Sequence, residues 1–394
     1  DGPTSLSFSE DVGARYEAYG WHVARVAEGD TDLDGIHEAL DDARRRTDQP
    51  SLILVRTTIG FGAPTKAGSA AAHGAPLGPE EAQRTKQALG LDPESAFTVD
   101  DETYGRFRHY ARRGAEARAT WAERFEAYRA EFPEQAADLD RALARELTED
   151  WAEELPSWEP GLALPTRQAS SDMLNRLAER VPELIGGGAD LATSSKTIIK
   201  QDKAFDGASG AGRNLHFGVR EHAMGAIANG LSYHGGCRPF VSTFLAFSDY
   251  MRAPIRLAAL DRLPVVAIWT HDSIGVGEDG PTHQPIEQVA SLRLIPKLPV
   301  FRPADANETI SAWLWTMQQD GPAAFILTRQ AVPVLPGTLE LSREGVARGA
   351  YVLADAEGGQ PDAIVIATGS EVQHAMSARE GLAEEGLRVR VVSM

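Results

Sequence analysis

Residues 270–285 read THDSIGVGEDGPTHQP, too rich in glycine for a stable helix or strand and too rich in histidine for a plain connector. His271, His283 and Asp279 in this stretch are types that ligate metals, but their spacing matches no standard zinc signature and no cysteine pair assists, which disfavours a metal site. Arg167, Arg329 and His271 together have the chemistry of an anion pocket, since guanidinium forks suit phosphate; singly, each reads as an ordinary surface or ion-pair residue. Glu221 opens a helical pattern whose apolar positions Met224, Ile227, Ala228 and Leu231 put it on the buried face. A helix N-terminus tolerates a carboxylate, but burial calls for a proton or a base to share one with. Phe244, Phe247 and Tyr250 in STFLAFSDY recur every third residue and fit plain core as well as an aromatic site. The glycine clusters at 186–188 and 207–212 complete no phosphate-loop or dinucleotide fingerprint, so a nucleotide P-loop is rejected.

The elements that must position these residues alternate regularly. Strand-like runs at 183–191, 215–219, 239–244, 264–269, 300–302 and 323–328 are separated by helical patterns. Val265–Trp269 and Ala323–Leu327 are continuously apolar, as in strands buried on both faces of a parallel sheet. The fold class is therefore α/β, with doubly wound parallel sheets and flanking helices. Ligands of such sheets sit beyond the carboxyl ends of the strands. Arg220-Glu221-His222, Thr270-His271-Asp272-Ser273 and Arg329 each follow an apolar run and can meet in one crevice. Upstream, 21–60 reads strand, helix, strand; 60–79 is a loop; and Glu80 to Glu154 is a charged, mostly helical connector. Another βαβ start covers Ala363–Met394, with a strand at 363–369, a helix from Ser370 and a strand at 387–392.

Acidic residues outnumber basic ones 57 to 39, and the net charge of −18 argues against nucleic acid or an anionic membrane as the main partner. With 42% hydrophobic and 24% charged residues in 394, the composition is that of an ordinary globular chain of two to three domains. One cysteine, Cys237, fits a reducing cytoplasm, and no signal peptide or transmembrane-length apolar run is visible. The start at Asp1-Gly2-Pro3-Thr4 and the closing strand at 387–392 predict truncation at both ends.

The segments HFGVREHAMGAIANG (216–230), STFLAFSDY (242–250), THDSIGVGEDGPTHQP (270–285), LTRQ (327–330), HGAPLG (73–78) and GARYEAYGW (13–21) closely resemble transketolase. Deoxyxylulose-phosphate synthases share the helix glutamate but lack the His-Asp-Ser-Ile-Gly and Gly-Pro-Thr-His-Gln-Pro pair; dihydroxyacetone synthase overlaps heavily and stays open as an alternative. A non-catalytic or split subunit is a second reading, of another class. The resemblance implies transfer of a two-carbon ketol unit between sugar phosphates of the pentose phosphate pathway, with thiamine diphosphate and Mg2+ as cofactors. It makes Glu221 the cofactor-activating glutamate, which hydrogen-bonds the aminopyrimidine, with Phe244, Phe247 and Tyr250 around that ring and Ile59 in apolar contact near it. His73 and His283 match positions that handle protons and sugar hydroxyls, and Asp279 the reader of hydroxyl configuration. Arg167, Ser194, His271 and Arg329 match the phosphate anchors, although Thr193 stands where the family commonly has proline. It further implies a homodimer with sites at the subunit interface, and magnesium ligands upstream of residue 1, so that the chain alone is expected to be inactive. The implied segments are the C-terminal part of a diphosphate-binding domain (1–100), a helical connector (101–165), a pyrimidine-binding domain (166–338) and the start of a C-terminal domain (339–394).

Overall fold

The computed structural model describes residues 4–394; Asp1, Gly2 and Pro3, on which the expected truncated start falls, lie outside the described residues. The backbone forms two compact units, Asp1–Trp121 and Ala122–Met394.

In the first unit α1 (Thr4–Ser7) precedes α2 (Val12–Ala18), which is started by Asp11 accepting the Ala14 N–H at 2.9 Å. Next come β1 (His22–Val26), α3 (Leu33–Arg45), capped by Asp32 on the Gly35 N–H, and β2 (Ser51–Val55). β2 runs parallel to β1, giving the expected strand–helix–strand piece. The following loop is tied down chemically. Lys66 Nζ donates to the Leu77 carbonyl at 2.8 Å, and the buried Glu81 accepts the Thr65 N–H at 2.7 Å. Glu81 belongs to α4 (Pro79–Ala88), and α5 (Asp101–Glu131) leads out of the unit. The charged stretch is mostly helical, as expected, but in pieces. It breaks after α4, and again at Phe132, where Pro133 starts α6 (Pro133–Ala144) because its ring cannot continue a preceding helix.

The second unit continues through β3 (Ala163–Leu164), α7 (Thr166–Arg180), β4 (Leu184–Gly188), the one-turn α8 (Ala192–Ser195) and β5 (Asn214–His216). Then follow α9 (Glu221–His234), β6 (Arg238–Phe244), α10 (Ser248–Asp261), β7 (Val266–Thr270), α11 (Gln288–Arg293), β8 (Val300–Phe301), α12 (Ala306–Met317), β9 (Ala323–Leu327) and β10 (Val332–Pro333). Six of these strands form one all-parallel sheet in the order β5-β4-β6-β7-β9-β8. Alternate residues of the central strands serve opposite faces. Phe240, Ile268, Phe325 and Leu327 pack with α7 and α12, whereas Val241, Ala267, Trp269 and Ile326 pack with α9 and α10. That is why these strands read as unbroken apolar runs. Gly225 lets α9 and α10 close together, since a Cβ there would meet Pro254 Cγ at 2.8 Å.

The expected strands at 183–191 and 215–219 are shorter in the structure. The first ends at Gly188 before the turn into α8; the second stops at His216, ahead of Gly218 with φ +69°. Ile227, expected on the buried face of α9, is 49% exposed, while Glu221, Met224 and Ala228 are buried as expected. The chain ends in α13 (Thr338–Arg348), β11 (Tyr351–Ala354), β12 (Ala363–Ala367), α14 (Val372–Glu384) and β13 (Val389–Ser393), in the sheet order β11-β13-β12. β11, antiparallel to β13, went unread in the sequence, and the helix expected from Ser370 starts instead with a 3-10 turn at Gly369–Glu371.

Candidate functional site

In the parallel sheet the connection order reverses beside β4: β5 lies on one side and β6, β7, β9 and β8 on the other. A crevice opens at the carboxyl ends of strands at such a switch point. A cavity of about 340 Å³ lies there, lined by Arg167, Thr193, Ser194, Lys196, Phe244, His271, Asp279 and Arg329. All but Asp279, which lies in the loop between the 3-10 turns at Ile274–Val276 and Pro281–His283, sit near the end of an element: Thr193 to Lys196 follow β4, Phe244 ends β6, His271 follows β7, Arg329 follows β9, and Arg167 opens α7. Thr166 and Thr328 bind each other's N–H groups through their hydroxyls, at 2.9 and 2.7 Å, which fixes Arg167 beside Arg329.

Within the cavity Arg167 Nη1 donates to the Ser194 carbonyl at 2.6 Å, and Arg329 Nη2 to the exposed Glu278 at 2.8 Å. Burial and the charge of Arg329 lower the pKa of Arg167, partly opposed by Asp279. His271 is enclosed, its Nδ1 is 2.9 Å from Thr270 Oγ1, and its ring lies 3.6 Å from that of Phe244. Its Nε2 is 4.0 Å from Asp279 Oδ2, beyond hydrogen-bond reach. Its backbone is left-handed, with φ 62°, an outlier of the kind found where surrounding structure over-determines a residue. Desolvation first, then the charge of Arg167, pushes its pKa down from 6.5 to about 4. His271 is therefore a neutral donor and acceptor at pH 7.

The unfolded chain takes up this proton first, so the stability contributed by a neutral His271 is complete above pH 6.5 and is lost as pH falls toward 4. The window corresponds to roughly 3 kcal/mol. We predict an NMR titration midpoint for His271 near 4; a midpoint near 6.5 would mean the ring is hydrated rather than enclosed.

Aromatic rings extend the site along the same edge. Phe244 and Phe247 stack at 6.1 Å, Tyr250 lies 6.2 Å from Phe247, and His283 stands edge-on to Phe247 at 5.2 Å. These aromatics are not plain core: Phe244 is buried, but Tyr250 is 65% exposed. Glu221 follows β5 at the same edge of the sheet but does not line the cavity, so the single crevice expected from the sequence gathers the anion residues without it. It is only 8% exposed, and its carboxylate has no hydrogen bond or ion pair among the described residues. An unpartnered carboxylate on a largely covered residue and a ladder of aromatic faces fit an aromatic heterocycle that carries N–H donors. Ile59 and His73 lie in the first unit, within the loop that Lys66 and Glu81 hold. Among the described residues no group of three His, Cys, Asp or Glu side chains is placed to hold a metal ion.

Lys196 was missed in the sequence. It caps α8 in a left-handed conformation and adds a third cation to Arg167 and Arg329. Its signal was present, two residues beyond Ser194, but the strand-like run at 183–191 ends early, at Gly188, so its polar exit is displaced from where the sequence puts it.

A doubly wound sheet with a cationic cavity and an aromatic ladder at its switch point defines an α/β domain whose lining has the chemistry for an anionic ligand beside an aromatic one. Residues 1–148 match the family described as transketolase, thiamine diphosphate binding domain; residues 163–334 match transketolase, pyrimidine binding domain; and residues 349–394 match the transketolase-like C-terminal domain. The chain is 51% identical to transketolase from Geobacillus stearothermophilus over 396 residues, which takes in 100% of this chain and 59% of that protein. Among solved structures, transketolase from Leishmania mexicana superposes with a TM-score of 0.92 at 42% identity, covering 99% of this chain and 57% of the other. A Pichia stipitis transketolase in complex with sedoheptulose 7-phosphate gives 0.92 at 40% identity, covering 99% and 58%. The chain belongs to the transketolase family. It spans a little under three fifths of the length of these relatives. No helix among the described residues is long and apolar enough to cross a membrane.

Proposed function

We propose that the whole protein is a transketolase, moving a two-carbon ketol unit from a ketose phosphate to an aldose phosphate. The observation that carries this is the convergence of Arg167, Lys196 and Arg329 with Ser194, His271 and Asp279 in one cavity at the sheet's switch point. Three cations around a neutral imidazole suit a phosphate ester, and Asp279 is a single acceptor for a sugar hydroxyl. When bound, thiamine diphosphate supplies the nucleophilic carbon that carries the transferred unit. Glu221 would accept a hydrogen bond from its pyrimidine ring, with Phe244, Phe247 and Tyr250 covering the ring faces. His283, beside Phe247, would handle hydroxyl protons near the reacting carbon. We assign His73 the same kind of proton role, and Ile59 an apolar contact with the cofactor. We assign no residue of this chain to Mg2+. The segments 1–100, 101–165, 166–338 and 339–394 are our reading of the domain plan.

The anchor is testable by affinity. Arg329→Leu is expected to weaken binding of ribose 5-phosphate about 10- to 100-fold, the worth of a charge-assisted pair, and to leave plain ribose unaffected. Calorimetry on both ligands checks this, and equal affinity of the unsubstituted protein for the two sugars would remove the phosphate role.

A homodimer is part of the same proposal. Ile227, Tyr250, Leu257 and Leu260 are 49, 65, 49 and 58% exposed on the packed pair α9 and α10, an apolar face next to Glu221 and the aromatic ladder. Ile227→Glu combined with Leu257→Glu should move the sedimenting species from dimer to monomer. An unchanged sedimentation coefficient would place the interface elsewhere.

A further inference from the structure

Asp272, the residue after His271, has a fully enclosed side chain. Among the described residues its carboxylate has one partner, Arg302, whose Nε and Nη2 both donate to Oδ2, at 3.0 and 2.8 Å. The other oxygen, Oδ1, is buried without a hydrogen-bond partner. A buried carboxylate held by one cation through one oxygen takes its position from that cation.

Arg302 follows β8 and is itself nearly enclosed, its side chain 9% exposed. It is also gripped by the turn between β12 and α14. Nη1 donates to the Thr368 carbonyl at 3.1 Å and pairs with Glu371 Oε2, while Nη2 reaches Glu371 Oε1 at 3.0 Å. A second guanidinium, that of Arg293, donates to Thr368 Oγ1 at 3.3 Å. Gly369, with φ 63°, sits so close that a Cβ there would fall 2.7 Å from Arg302 Cγ and 2.8 Å from Nε. The turn and Asp272 thus hold one guanidinium between them.

His271 stands at the far end of this chain of contacts. On one side its backbone is tied to Thr270, paired into the sheet beside Leu327; on the other it is tied to Asp272, fixed by Arg302. Its left-handed φ persists because both neighbours are immobilised.

We propose that Arg302 is a positioning residue for the phosphate cavity: gripped by the 368–371 turn, it fixes Asp272 and through it the orientation of His271, so that the turn after β12 sets how tightly the cavity holds a phosphate ester. The ligand half of this rests on the phosphate reading above. Whatever draws Glu371 away from Arg302 loosens His271, although Glu371 does not line the cavity.

The 394-residue chain is tested as Glu371→Ala and Gly369→Ala, with Glu344→Ala, an exposed residue of α13, as control. The Glu371 side chain is half exposed, so its loss leaves the fold standing, and the Gly369→Ala methyl presses on Arg302 without touching the cavity. Two readouts separate the parts: the imidazole NMR signals of His271 without ligand, and titration with inorganic phosphate and with ribose 5-phosphate. In both variants the His271 signals are expected to move and both ligands to bind about 3- to 10-fold more weakly, as coupling through a packed network gives. The thermal midpoint should stay within about 2 °C of the parent in Glu371→Ala and fall by several degrees, with the fold retained, in Gly369→Ala, where the positive φ strains any Cβ; Glu344→Ala should change nothing. Glu371→Gln, which keeps the hydrogen bond and loses the charge, should fall between. His271 signals unmoved in both folded variants overturn the coupling, and failure of the unsubstituted chain to bind either ligand overturns the phosphate reading.

Discussion

Glu221→Gln in the whole protein is expected to cut ketol transfer by about a hundredfold or more while leaving the thermal midpoint nearly unchanged. Glutamine has the same shape, so the packing of α9 through Met224 and Ala228 is kept. What is lost is the carboxylate of a residue only 8% exposed and without a partner among the described residues. A carboxylate in that setting is a strong acceptor for a ring N–H and can take up part of its proton; an amide oxygen is a weak one and cannot. Shortening the side chain with Glu221→Asp keeps the charge but withdraws it from the ring, so its activity should lie between the two. Turnover is measured with xylulose and ribose phosphates at saturating thiamine diphosphate. Near-normal turnover in Glu221→Gln would remove the residue from the mechanism.

Asp305→Ala should strongly destabilise the second unit from a position away from the cavity. Asp305 is completely buried and caps α12 by accepting the Glu308 N–H at 3.0 Å; its second oxygen accepts the Leu335 N–H at 2.9 Å and the Thr338 hydroxyl at 2.6 Å. Alanine removes the cap and strands two buried donors, together about 3 to 5 kcal/mol. Burial pushes the Asp305 carboxyl up, and its hydrogen bonds only partly restore the charged form. Asp305→Asn, which keeps one acceptor oxygen, should recover part of the loss. Urea denaturation followed by circular dichroism reads the difference, and midpoints equal to the parent in both variants would show that the segment after β9 is not held by this residue.

The parts of the molecule readable in the sequence are those where one physical demand dominates. β7 and β9 announce themselves because burial on both faces forbids polar residues, and Glu221 because a carboxylate on an apolar helix face has few structural excuses. β11 and Lys196 do not, since a short edge strand and a lysine in a turn satisfy many folds equally. Arg167, His271 and Arg329 were recognisable by chemistry, but their meeting depends on the reversal of strand order beside β4, which no local pattern encodes. Arg302 is the extreme case. Its role lies in partners 30 and 69 residues away in sequence, Asp272 and Glu371.

The left-handed backbone at His271 also bears on what a mutational library at that position would return. Selection there acts first on conformation and only then on recognition, because a β-branched residue is strained at φ 62° before its side chain meets any ligand. Asparagine and glycine should survive as folded, weakly binding variants, and valine and isoleucine should be depleted even from a screen that scores folding alone. A tolerance profile of that shape comes from the main chain, and reading it as evidence about phosphate contacts would mistake a steric filter for a chemical one.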